Sequence, residues 1–443
     1  MLPEIMELIG SHDHIKIREL FLEMNVVDIA EQIEDMEKSD AVKIFRMLPK
    51  DTAAEVFAYL ASDVQQSIVE AITDREIADI LNDLFLDDAV DFIEEMPANV
   101  VKRVLANVSA PNRELINQFL KYPEDSAGSI MTIEYVALRR HLTVREAFER
   151  IRRTGLDKET IYTIYIIDNE RRLTGAVSAK SLMLASPDEK IEALMETNII
   201  FANTNEDKES LSNDFIKYGL LAMPVVDNEN RLVGIVTVDD VLEVQREEAT
   251  EDFEIMAAMS PSEDPYLKTP VFSLAKNRVV WLLLLMLSAT ITGAIITSFE
   301  EALDVMPALV AFIPMLMGTG GNAGAQSSTL IIRGLALEEI RLADAGKVLF
   351  KEVRVAMMCG LVLVVVNFSR ICLMGGNMIM ALTVSLSLFG TMILAKCVGG
   401  LLPMAAKKLG LDPAVMAAPV ITTILDASSL IIYFCLSRAI LGI

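Results

Sequence analysis

The sequence predicts a multidomain membrane protein: an α-helical solenoid, a tandem α/β domain, a long acidic connecting helix and an all-α bundle of five membrane-spanning helices. Three observations predict it. The 443 residues are 52% hydrophobic yet 23% charged, too apolar for one soluble domain and too charged for a chain held wholly in lipid. The charge is segregated. From Val271 onward there are 12 basic and 9 acidic residues, a net of +3, whereas the residues before it carry 27 basic and 54 acidic, a net of −27. The third observation is internal repetition before Val271, of one kind up to residue 97 and another after residue 160. The expected boundaries are 1–125, 126–242, 243–270 and 271–443.

Up to about Tyr122 the pattern is helical, in short amphipathic stretches broken at Pro49, Pro97 and Pro111. Asp40-Ala41-Val42 ending at Leu48-Pro49 is echoed 48 residues later by Asp88-Ala89-Val90 ending at Met96-Pro97. Stacked short helices of this kind form α-solenoids. The acids Asp87, Asp88, Asp91, Glu94 and Glu95 read most simply as a solvated face.

Met131 to Glu243 changes character. Tyr162–Asp168 and Met223–Asp227 are β-branched runs, each followed by a turn and a second strand. Asp168–Val177 matches Asp227–Val236 at seven of ten positions, a 59-residue spacing that predicts a tandem βαββα unit. Asp239 to Met259 then reads as one long helix. Glu243, Glu247 and Glu251, and likewise Glu248 and Asp252, are like charges four apart, each pair destabilising a bare helix by a few tenths of a kcal/mol. Such a helix gains from bound cations, although an exposed linker would also tolerate it. Oxygen ligands with no His or Cys point to a hard cation, Mg²⁺ or Ca²⁺.

Five apolar stretches follow, Val279–Phe299, Val305–Ile332, Val355–Met374, Met378–Met404 and Ala414–Leu441, each long enough to span a bilayer. Lys276 and Arg278 precede the first. The second connection carries Arg333, Arg341, Lys347, Lys351 and Arg354, and the fourth Lys407 and Lys408, whereas the first has Glu300, Glu301 and Asp304. The positive-inside rule puts the N-terminal domains in the cytosol and the C-terminus outside. Met1–Ser11 lacks the basic start and apolar core of a signal peptide.

Asp426 is the only acid inside these stretches. About a dozen residues from either end of the last one, it sits near the midplane, where a carboxylate costs at least a few kcal/mol unless it faces protein or water. It marks an ion or proton path, or else a pair with a neighbouring helix. Thr422, Thr423 and Ser429 accompany it, and Pro419 is expected to free a carbonyl on the turn before. The second stretch holds Gly318–Ser328, whose glycines permit close helix approach or a broken helix with carbonyls in a cavity. Asn322, Gln326 and Thr329 share one helical face there, lining a passage or cementing helices. Cys359, Cys372, Cys397 and Cys435 read as buried small hydrophobes. His12, His14 and His141 form no catalytic constellation, so no enzyme is expected.

The runs GGNAGAQSSTLIIR (Gly320–Arg333) and PVITTILD (Pro419–Asp426), and the domain order, resemble the MgtE family of magnesium channels across essentially the whole chain. The tandem unit looks like a pair of CBS motifs, which often bind adenosine ligands such as ATP. In nucleotide-binding members a Gly-x-x-Ser/Thr-x-x-Asp run places its last Asp on ribose. The second repeat has it (Gly234, Thr237, Asp240); the first has Ser181 in place of Asp. The resemblance implies a homodimer with the pore between subunits and Asp426 of each chain at the ion site. It also implies that cytosolic Mg²⁺ bridges the N-domain, the CBS pair and the connecting helix to close the pore. Some relatives carry Asn where Ala418 stands, so only a backbone carbonyl could serve from that position.

The candidate regulatory ligands are Asp88 and Asp91, Asp207 and Glu209, Asp240, Glu243, Glu247, Glu248, Glu251 and Asp252, with Asp412 joining the connecting helix to the last span. Partners are then the bilayer and Mg²⁺, with Co²⁺, Zn²⁺ and Mn²⁺ open; nucleic acid is excluded by charge. A carrier coupled to Na⁺ or H⁺ through Asp426, a membrane enzyme and a CBS-regulated anion channel are the alternatives. The enzyme lacks a second catalytic group, and the pore acid disfavours anions.

Overall fold

The computed structural model describes residues 16–17, 20–21, 23–262, 266–267, 269–300 and 306–442. Met1–Ser11, His12, His14, Glu301, Asp304 and Val305 lie outside the described residues. The chain divides into two compact units, Met1–Gln245 and Arg246–Ile443.

The first unit begins with short helices: α1 (Val26–Glu34), α2 (Lys38–Phe45), α3 (Lys50–Ala58), α4 (Ser62–Ala71), α5 (Asp74–Asp83), α6 (Leu86–Glu94), α7 (Ala98–Asn107) and α8 (Ala110–Phe119). Pro49 and Pro97 sit at the N-caps of α3 and α7, where a missing N–H costs nothing. Thr73 and Glu76 close a capping box on α5. The helices pack mostly on the next but one, as with α1 on α3, α3 on α5 and α5 on α7, because none alone can bury its apolar stripe. The shared core includes Ile29, Ile33, Ile44, Phe57, Ile68 and Phe92, and Phe57 meets Phe92 edge-on with centroids 5.1 Å apart. The solenoid expectation holds.

The rest of the unit is the tandem α/β domain. Its first half has β1 (Ala137–Leu138), α9 (Val144–Thr154), β2 (Thr163–Ile167), β3 (Leu173–Ser178), α10 (Ala179–Leu184) and α11 (Ile191–Leu194). Its second has β4 (Ala202–Asn203), α12 (Lys208–Tyr218), β5 (Ala222–Val226), β6 (Leu232–Thr237) and the start of α13 (Val238–Met256). In each half a parallel pair, β1 with β2 or β4 with β5, continues into an antiparallel hairpin. The matched decapeptides form the two hairpins. Asp168 Oδ1 accepts from the Glu170 and Arg172 amides, and Asp227 Oδ1 from those of Glu229 and Arg231. Arg171 and Asn230 occupy the left-handed position of the two turns, at φ 66° and 61°. The hairpins also pair with each other, Leu173 N donating to Asn230 O and Leu232 N to Arg171 O. Sequence repetition thus becomes a pseudo-two-fold domain.

The second unit takes in the end of α13 and five long helices: α14 (Val271–Ser298), α15 (Ile313–Ala336), α16 (Ala345–Leu373), α17 (Met378–Lys408) and α18 (Ala418–Leu441). All five are long and apolar enough to cross a membrane. α15, α17 and α18 pack mutually, α16 lies on α17, and α14 touches α18. α14 leaves Leu282, Leu283, Met286 and Leu287 exposed.

Five expectations need correction. The acidic helix ends at Met256, not Met259, because Ala258 adopts a left-handed conformation at φ 54°. α15 runs unbroken through Gly318–Gly324; those glycines serve close packing, since a Cβ at Gly399 of α17 would strike the Gly324 carbonyl. Pro419 lies in the first turn of α18 and interrupts nothing. Cys359, Cys372 and Cys435 are exposed on this chain and Cys397 partly so, because they lie on outward faces of their helices. Finally, Asp426 is not the only acid of the bundle, because α16 starts ten residues before the expected span and carries the buried Glu352 into it.

Candidate ion pathway and acidic clusters

Asp426 is half-buried on α18, and among the described residues no hydrogen bond or ion pair holds its carboxylate. One turn earlier, Thr422 and Thr423 donate their hydroxyls to Pro419 O at 2.9 and 3.0 Å. Their oxygens keep lone pairs for another donor, such as an ion's hydration shell. Ala418 opens the helix, and its side chain lies outside those described. α15 runs beside α18: a Cβ on Gly321 would stand 2.9 Å from the Thr422 methyl, and one on Gly324 2.8 Å from Ile421. Asn322, Gln326 and Thr329 are all exposed on this chain, on the face that helical spacing predicted. Ser429 is instead fully buried, its hydroxyl turned inward toward Gly320.

Two groups escaped the sequence reading. Glu352, 9% exposed, accepts from Ser327 Oγ at 2.6 Å, and Lys396, 6% exposed, donates to Gln326 Oε1 at 3.4 Å. Lys396 lay in plain view as the lone cation inside the fourth apolar stretch.

The first unit gathers carboxylates. Asp87, Asp88 and Asp91 on α6, Glu159 from the α/β domain and Asp240 on α13 are all raised above the usual carboxylate range, with the charges of Glu134, Asp239 and Glu243 among the causes. Desolvation first, and then the Asp240, Asp88 and Glu159 charges, push Asp87 well above the usual carboxylate range. Burial leads in the others too, with Asp88 and Asp240 raised to about 6, Glu159 to about 7 and Asp91 to about 8. The Asp91 side chain still meets solvent, so water screens part of its crowding. Asp87 is therefore no solvated acid: it is 8% exposed, and its Oδ1 and Glu159 Oε2 are buried without a hydrogen-bond partner. Asp240 also accepts from Thr237 Oγ1 at 2.7 Å, so the candidate nucleotide pair is closed on itself. Asp207 caps α12, accepting from Ser210 N at 3.1 Å, and Glu209 stands in that helix's first turn.

The second unit holds a smaller acidic contact. Desolvation, then the Asp412 and Glu251 charges, raise Asp252 to about 6. Ile255 and Met256 of α13 pack against Ile332, Ala414 and Ala417, the end of α15 and the turn before α18. Sequence spacing could not supply Glu134 or Glu159, which lie singly in loops. Among the described residues, no three His, Cys, Asp or Glu side chains are placed to hold a metal ion directly.

The raised carboxylates have a sign. A folded unit whose acids bind protons more tightly than the unfolded chain loses stability as pH rises from about 4 through about 8. With a chelator present, protection factors for amide exchange in α6, corrected for the intrinsic base-catalysed rate, are expected to be lower at pH 8 than at pH 6, with divalent cations reducing the difference. Equal protection factors at the two pH values would contradict the crowding.

Comparison with known proteins matches this architecture piece by piece. The divalent cation transporter model of the MgtE family matches residues 313–436, the MgtE intracellular N domain 24–125, and CBS domains 127–188 and 191–247. A Thermus thermophilus protein named magnesium transporter MgtE is 34% identical over 441 residues, covering 99% of this chain and 98% of that one. The chain belongs to the MgtE family. A Bacillus subtilis magnesium transporter MgtE is 32% identical, covering 97% of this chain and 98% of the relative. The cytosolic domain of an MgtE Mg²⁺ channel, solved in complex with ATP, superposes with a TM-score of 0.53 at 33% identity, over 55% of this chain and 100% of the other. The domain order of an MgtE transporter is therefore present here, with CBS domains and five apolar helices. These relatives are named as transporters and not as enzymes.

Proposed function

We propose that this chain is a Mg²⁺-selective channel for magnesium uptake, closed when cytosolic Mg²⁺ binds its acidic domains. The observation that carries the reading is the group of crowded carboxylates joining α6, the α/β domain and α13. Without cations it repels itself; with them it favours a compact state by mass action. Mg²⁺ keeps several of its waters, which suits a cluster in which, among the described residues, no three acids are placed for direct ligation. Asp88, Asp91, Asp240 and Glu243 face the hydrated ion on this side, with the buried Asp87 and the half-buried Glu159 added. In the second unit, Glu247, Glu248, Glu251 and Asp252 lie along the end of α13, and Asp252 shares a field with Asp412, which opens the turn before the pore helix.

In the membrane, Asp426 supplies the charge, and Thr422, Thr423, Asn322, Gln326 and the Ala418 carbonyl supply oxygens to a largely hydrated ion. One carboxylate per subunit suits a pore on the axis of a homodimer. The cytosolic side holds the N-terminal domains and the outside the C-terminus. Co²⁺, Zn²⁺ and Mn²⁺ are candidate secondary ions, and ATP or a related nucleotide is the candidate ligand of the CBS pair near Thr237 and Asp240.

Mg²⁺-dependent protease protection of the purified full chain tests the gate, and single-channel currents test the conduction mode. Cleavage around α13 is expected to slow as Mg²⁺ rises, in step with loss of current. A cleavage pattern indifferent to Mg²⁺ overturns the gate, while saturable flux coupled to a Na⁺ or H⁺ gradient overturns the channel in favour of a carrier.

A further inference from the structure

Lys396 is a buried cation for which the pathway described above has no use. It lies eighteen residues into α17, about 27 Å along the helix at roughly 1.5 Å per residue. A charge at such depth persists only against partners. Its Nζ donates to Gln326 Oε1 at 3.4 Å. The next residue of α15, Ser327, donates to the buried Glu352 of α16 at 2.6 Å. Gly400, one turn along α17 from Lys396, sits against Glu352, since a Cβ there would stand 3.2 Å from Glu352 Cγ. A base and an acid thus bracket two consecutive residues of α15 from two different helices. The adjacent member of the pair, Gln326, also belongs to the exposed polar face of α15.

We infer that Lys396 is a positioning residue for ion selectivity: it ties the Gln326 amide oxygen back, so that the pathway offers a permeating ion no strong dehydrating ligand at that level. Glu352, held by Ser327, balances the Lys396 charge, so the bracket adds no net charge and Asp426 alone sets the sign of the pathway. The consequence lies in selectivity among divalent ions. Mg²⁺ dehydrates reluctantly, whereas Ca²⁺ and Mn²⁺ accept direct oxygen ligands more readily. A freed amide oxygen facing the pathway favours the latter two.

This inference rests on the reading of Asn322 and Gln326 as pathway residues. The experiment measures Mg²⁺, Mn²⁺ and Ca²⁺ flux into liposomes holding the full chain. Lys396→Met is expected to raise the Mn²⁺:Mg²⁺ and Ca²⁺:Mg²⁺ flux ratios about fivefold or more, and Lys396→Arg to leave them near the native values. Adding Gln326→Leu to Lys396→Met removes the freed oxygen and is expected to return the ratios toward native, which simple loosening of the bundle would not do. Where Lys396→Met leaves Glu352 unbalanced and the protein fails to fold, Lys396→Met with Glu352→Gln carries the same test without net charge. Native ratios in a folded charge-free variant, or raised ratios that persist after Gln326→Leu, overturn the role assigned to Lys396. Asp426→Asn in the same assay separates the two failures: if it too leaves flux unchanged, the pathway reading is what fails.

Discussion

Asp426→Asn is expected to lower Mg²⁺ uptake tenfold or more while leaving the protein folded and in its native assembly. A tenfold loss is about 1.4 kcal/mol, less than the roughly 1.5–3 kcal/mol of one hydrogen bond to a charged group. The Asp426 carboxylate has no hydrogen bond or ion pair among the described residues, so the substitution breaks no internal contact. Stability is then expected to be unchanged or slightly improved, since a neutral amide is cheaper to hold in the bundle. Uptake in magnesium-starved cells and size-exclusion of the purified protein measure the two halves of this expectation. Normal uptake would remove Asp426 from the pathway; a misassembled protein would make it a structural group.

Neutralising Asp88, Asp91, Asp240 and Glu243 together is the second large perturbation. The Mg²⁺ concentration giving half-maximal protease protection is expected to rise about tenfold or more, because four of the charges that attract the ion are gone. In the absence of Mg²⁺ the same variant is expected to be more resistant than the native chain, because the repulsion among these acids is relieved. These opposite shifts distinguish a cation-bridged cluster from an ordinary acidic surface, where neutralisation would move neither quantity. Asp252→Asn with Asp412→Asn addresses the separate contact at the end of α13, and need not follow the first set.

The architecture is largely legible in the sequence. A 59-residue repeat with an Asp-Asn-Glu turn in each copy can hardly avoid becoming paired hairpins, since each Asp caps its own turn and each turn needs one left-handed residue. Long apolar stretches in a bilayer have no alternative to helix. Asp426 stood out because a lone carboxylate in such a stretch is costly wherever its neighbours lie. Helix ends were read less well: α13 stops at Met256 because of one backbone conformation at Ala258, and α16 begins early enough to carry Glu352 into the bundle.

The sequence by itself determined the order of domains, the five spans, the segregation of charge and the lone acid of the last helix, because composition and periodicity act locally along the chain. Tertiary structure alone decided which acids share a field and which polar groups meet inside the bundle. Asp207, which looked equivalent to Asp88, caps a helix, while Glu134 and Glu159, unremarkable in their loops, join Asp87 and Asp240. Lys396, Gln326, Ser327 and Glu352 come together across gaps of tens of residues, because Gly324 and Gly399 let α15 and α17 approach closely. Electrostatic coupling falls with distance in space, and spacing along a chain reports that distance only within a single helix or hairpin.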